Sequence, residues 1–77
     1  MKFTMADEEG KFEGRVRFRN ERGAYGFIER FGPGADVFVH LRDVDYGEII
    51  EGSTVEFEIE SSERGPRAKH VRVVDSI

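Results

Sequence analysis

Cysteine is absent from this 77-residue chain, which excludes a disulfide staple and a thiolate metal site. Long apolar runs are absent too. The first ten residues hold none of the kind a signal peptide needs, and no stretch approaches the roughly 20 residues that cross a bilayer as a helix. A soluble, cytoplasmic protein with no membrane partner is the expectation. Helical periodicity is missing, save for one turn's worth at Leu41 to Asp45. There are only two histidines, no motif places a Ser-His-Asp set, and no His/Cys spacing suits a metal. Gly32-Pro33-Gly34 lacks the Lys-Ser/Thr of a phosphate loop and reads as a turn. Neither enzymatic activity nor a cofactor nor a small-molecule substrate is expected.

What is present is charge, unevenly spread. The formal net charge is −4, which by itself disfavours a partner as acidic as nucleic acid, whose phosphates supply most non-specific affinity. Yet Lys11, Arg15, Arg17, Arg19, Arg22 and Arg30 face only Glu13, Glu21 and Glu29 in their stretch of chain. Arg64, Arg67, Lys69 and Arg72 follow near the C-terminus. The acids concentrate between the two groups, from Asp43 to Glu63, where they read as a solvated surface. One face can be positive on a negative molecule.

Length allows one domain, near the lower limit at which a core offsets chain entropy without a staple. Residues 1–10 are polar and acidic and read as a disordered arm, leaving 11–77 as the folded domain. From there short alternating runs follow one another: Gly14 to Asn20, Tyr25 to Arg30, Asp36 to Leu41, Thr54 to Glu60 and Ala68 to Val74. Turn residues separate them at 20–23, 32–34, 47, 51–53 and 64–66. Five strands in so short a chain predict a small all-β barrel, which buries one face and hides its edges.

Alternation assigns the faces. Val55, Phe57 and Ile59 point inward with Glu56, Glu58 and Glu60 outward. Val37, Val39 and Leu41 take core positions, which turns Phe38 and His40 away. Gly26 and Ile28 share one face and Tyr25 and Phe27 the other. Large aromatics usually pack in a core. Here, however, Val16, Ile28, Val37, Val39, Val55, Phe57, Ile59, Val71 and Val73 already fill a barrel of this size, and three further rings would overpack it. Turned outward, the rings form an apolar patch beside Arg15, Arg17, Arg19 and Arg22, and such patches mark binding surfaces. Single-stranded nucleic acid offers bases to the rings and phosphates to the cations.

The run Gly14-Arg-Val-Arg-Phe-Arg-Asn20, then Tyr25-Gly-Phe-Ile28, then Asp36-Val-Phe-Val-His40, resembles the cold-shock domain. Glu51-Gly52, Val55-Glu-Phe57 and Arg64-Gly65-Pro66-Arg67-Ala68 match as well, so the resemblance covers roughly Gly10 to Val74. It implies a five-stranded antiparallel Greek-key barrel, the OB-fold, that binds single-stranded RNA or DNA and acts as an RNA chaperone. It assigns base stacking to Phe18, Tyr25, Phe27, Phe38 and His40, with Tyr46 as a loop aromatic extending the platform. Arg17 and Arg64 become cationic or hydrogen-bonding neighbours, and Asn20 completes the set. Phe18 stands where the family often has Trp, Arg19 and Leu41 where it often has rings, and Gly23 and Ala24 where it often has Lys and Gly. Arg19 can partly substitute for its missing ring, since a guanidinium plane stacks on bases.

The expected protein is a monomer with broad base tolerance. A protein-interaction module built on the same patch, or a ribosome-associated OB-fold factor, are the alternatives. A protein ligand held by apolar contact responds weakly to salt, which separates the first of these from a nucleic-acid binder.

Overall fold

The computed structural model describes residues 11–76, and the arm expected over 1–10 lies outside them. Six strands follow in order: β1 (Phe12–Asn20), β2 (Tyr25–Arg30), β3 (Val37–His40), β4 (Val44–Tyr46), β5 (Thr54–Ser62) and β6 (Gly65–Asp75). A single 3-10 turn at Leu41–Asp43 precedes β4, shorter than the turn expected to run to Asp45. Five strands pair in the order β3-β2-β1-β5-β6, and a further contact between β3 and β6 closes the ring. The neighbours in that ring run antiparallel except at the closure, where Phe38 meets Arg67 in parallel. The three-residue β4 adds to the outside of the ring, parallel to β6.

The core is Val16, Ile28, Val37, Val39, Ile49, Val55, Phe57, Ala68 and Val71, all buried. Each valine, isoleucine or phenylalanine among them contributes about 1.5–3 kcal/mol on withdrawal from water. Ile59 and Val73, expected inside, are half-buried and pack against this cluster together with Phe12, Leu41 and Val44. Ile49 and Ala68 take their share of the interior instead. Ile49 reaches the core from the loop before β5, where no alternating run announces it.

The last hairpin is longer than its composition suggests. Gly65-Pro66 belongs to β6, paired with Ser62 and Ser61, and only Glu63-Arg64 remain as the turn. Ser62 Oγ donates to the Gly65 carbonyl at 2.7 Å and accepts from the Arg64 N–H at 3.3 Å, so one hydroxyl satisfies two backbone groups of the turn.

Asp43 departs from the solvated acidic surface expected of 43–63. It is buried, and its Oδ2 accepts from Arg67 Nε at 3.3 Å and Nη2 at 3.1 Å, while Lys69 Nζ lies 3.4 Å from Oδ1. These contacts fasten the 3-10 turn to β6. Burial pushes the carboxyl pKa up, but hydrogen bonds and charge from Arg67 and Lys69 more than offset that and hold it below its ordinary value. A carboxylate with a depressed pKa stabilises the fold fully above the unfolded value of about 3.9 and loses that contribution as the pH falls through the folded value. Asp43→Asn is expected to cost about 1–3 kcal/mol at neutral pH, read as a lower urea midpoint. The two proteins should converge as the pH falls below the unfolded value and through the lower folded one, where the wild-type carboxyl takes up its proton.

Candidate nucleic-acid interface

The outer face of β1, β2 and β3 is organised by one irregularity. Val16 pairs with Ile28, but the next partner pair is Phe18 with Phe27, so Arg17 is an extra residue in β1. Strict alternation would send Phe18 inward beside Val16. The bulge reverses the register, turning Phe18 outward opposite Phe27 and Arg19 inward opposite Gly26. Gly26 is buried, and a Cβ there would lie 2.5 Å from the Phe18 carbonyl oxygen. The close approach of β1 to β2 at this point therefore depends on glycine.

The rings that face outward touch one another. Tyr25 stacks on Phe38 with centroids 5.7 Å apart and planes at 25°. Phe27 meets Phe38 edge-on at 5.8 Å and Tyr25 edge-on at 6.1 Å. Phe18 joins at 6.3 Å from Tyr25 and is 42% exposed. Tyr25, Phe27 and Phe38 are half-buried: each is covered by its neighbours and open to solvent on the side away from the barrel. They form neither core nor isolated surface rings, but a continuous aromatic floor across three strands.

His40 lies opposite Tyr25 in the β2–β3 register. Its Nδ1 accepts from the Arg42 N–H at 3.1 Å and so caps the 3-10 turn. A ring nitrogen that accepts carries no hydrogen, which leaves Nε2 as the donor. Asn20 is tied to the same corner: its Oδ1 accepts from the Gly23 N–H at 2.7 Å and its Nδ2 donates to Tyr25 Oη at 3.4 Å. This side chain orders the β1–β2 turn, in which Ala24 adopts a left-handed φ of 58°.

Cations border the floor unevenly. Arg64 lines a recess of about 540 Å³ together with Phe27, Phe38 and the rest of the 62–67 hairpin. Arg67 lines the same recess but is anchored on Asp43. Arg17 is exposed, and its Nη1 lies 3.2 Å from Asp36 Oδ2, so a phosphate must compete with that carboxylate.

Two expected members stand apart. Tyr46 is 64% exposed, yet its neighbour is the Arg72 guanidinium at 5.8 Å rather than any ring of the floor. Arg19 points the other way, into recesses lined by Glu48, Ile49, Glu51, Leu41 and Val44. Its Nε and Nη1 are buried with no hydrogen-bond partner among the described residues. It cannot replace a ring on a face it does not share. Removing the two unpaired nitrogens is expected to help the fold: Arg19→Met should raise the urea midpoint, by about 1 kcal/mol in stability, and change oligo-dT affinity less than twofold. A clear loss of affinity in that variant would return Arg19 to the binding face.

The recess wall from Ser62 to Pro66 is the part that sequence reasoning did not place, apart from Arg64. Pairing of β3 with β6 brings it beside Phe38, and no local pattern records that closure.

Residues 12–74 match the family model described as the 'Cold-shock' DNA-binding domain. The chain belongs to the cold-shock domain family. That family is a nucleic-acid-binding, non-enzymatic one, and the fold is its OB-fold barrel. A cold shock-like protein of Aquifex aeolicus is 41% identical over 66 residues, covering 82% of this chain and 94% of that protein. One from Thermotoga maritima is 40% identical, covering 80% and 97%. The cold shock-like protein CspC of Escherichia coli K12 is 36% identical, covering 83% and 97%. Among solved structures, the chain described as Drosophila Unr CSD456 superposes with a TM-score of 0.71 over 94% of this chain and 31% of its own length. At 19% identity that likeness speaks for the fold alone. Within this cold-shock domain the aromatic floor lies on β1, β2 and β3.

Proposed function

We propose that this protein binds single-stranded RNA or DNA as a cytoplasmic monomer and keeps strands unpaired, as an RNA chaperone does. The observation that carries the reading is the floor formed by Phe18, Tyr25, Phe27 and Phe38, with His40 and Asn20 at one corner and Arg64 at the recess. Unpaired bases have free π-faces to lay on such a surface, and each base stacked on an aromatic ring contributes about 1–3 kcal/mol. Bases inside a duplex do not, so the protein takes the open strand and shifts a hairpin toward it by mass action. Stacking accepts any base, which gives broad tolerance.

Few cations border the floor and acids stand near them, so binding depends on salt modestly. The expected slope is about −0.7 for each phosphate contacted on a single strand. The chaperone step is tested with a fluorophore-quencher RNA hairpin of marginal stability. Stoichiometric protein should lower its melting temperature, and the Phe38→Ala variant should do so far less. A hairpin that melts unchanged under saturating protein refutes the unpairing activity.

A further inference from the structure

The outer face does not end at the four rings. On β2 the outward positions run Tyr25, Phe27, Glu29, and the alternation continues one step past the strand to Phe31, whose N–H donates to the Glu13 carbonyl at 2.9 Å. Phe31 is 49% exposed. Across from it Arg15 points outward between buried Gly14 and Val16, and its guanidinium carbon lies 5.7 Å from the Phe31 ring centroid. A solvated ring beside a guanidinium is the same pair of surfaces that a flipped-out base stacks on.

We propose that Phe31, flanked by Arg15, is an additional base-stacking subsite that lengthens the strand's track beyond the four-ring floor. The proposal rests on the reading of that floor as a single-strand platform. Four residues of extended chain separate Phe27 from Phe31, about 13 Å. At about 3.4 Å per nucleotide in a stacked strand, the gap amounts to no more than about four nucleotides, and fewer if the strand is stretched. Between the two lie Arg15, Arg17, Glu29 and Asp36. Arg17 is paired with Asp36, and Arg15 sits opposite Glu29 in the register, with Glu13 next to it. The carboxylates offset both arginines, so the subsite works through its ring and not through phosphate attraction. Longer strands should therefore gain affinity here with little added salt dependence.

The test is a titration of wild type, Phe31→Ala and Phe31→Tyr with oligo-dT from about 4 to about 12 nucleotides, each variant first checked by its CD melt. Short strands that cover only the floor should bind all three alike. Beyond a threshold length, wild type and Phe31→Tyr should gain about 5- to 150-fold, Phe31→Ala should not, and the salt slope should stay nearly constant across the threshold. Equal affinities of wild type and Phe31→Ala at every length overturn the subsite while leaving the platform intact. Failure of all three proteins to bind any length overturns the platform reading, and the subsite with it.

Discussion

Alanine at Phe38 is expected to weaken oligo-dT binding by about 5- to 150-fold, the range that one lost base stack spans. Phe38 touches both Tyr25 and Phe27 and forms one wall of the hairpin recess, so its removal opens the middle of the floor. Phe27→Ala should behave similarly. The double variant should bind more weakly than either but by less than the product of the two losses, because rings in contact share their effects. Both side chains are half-buried, so truncation costs less stability than the roughly 3–5 kcal/mol of a core phenylalanine, and CD melts must show folded protein before titration. Folded variants that bind as tightly as wild type would mean that the rings serve packing alone.

The largest effect on stability is expected at Gly14. It sits where β1 is held between β2 and β5, opposite Arg30 and Val55. A Cβ there would meet the Glu29 carbonyl oxygen and lie 2.7 Å from Ile28 Cγ2. The carbonyl is backbone and cannot swing aside, so the strands must part next to Val16 and Ile28 in the core. Gly14→Ala should cost about 3 kcal/mol, the upper end for overpacking, which in a domain of this size lowers Tm by roughly 12–24 °C. Differential scanning calorimetry measures it directly, and a Tm within about 2 °C of wild type would show that β1 and β2 are looser than described.

Alternation reveals the barrel because each strand buries one face, and a period of two writes that face into Val55-Phe57-Ile59 and Val37-Val39. The same rule turned Tyr25, Phe27, Phe38 and His40 outward. It fails where the chain departs from the period. One extra residue at Arg17 reverses every later position on β1 and leaves no compositional mark, so alternation alone sends Phe18 inward and Arg19 outward, the reverse of where the bulge turns them. Asp43 looks like any other acid in an acidic stretch, and its two basic partners lie more than twenty residues away on β6. Tyr46 sits in a short β4 whose parallel pairing with β6 holds it over Arg72. Long-range register, unlike local pattern, is decided by which strands close the ring.

An aromatic face that works by stacking must prefer unpaired strands to duplex. That preference is tested most directly by a competition at fixed low salt between a labelled single strand and an unlabelled duplex of equal length and matched sequence. Added duplex should displace little of the bound single strand even in large molar excess, while unlabelled single strand displaces it stoichiometrically. Displacement by duplex as effective as by single strand would contradict the account, since it would show binding to phosphates alone and no use of the rings.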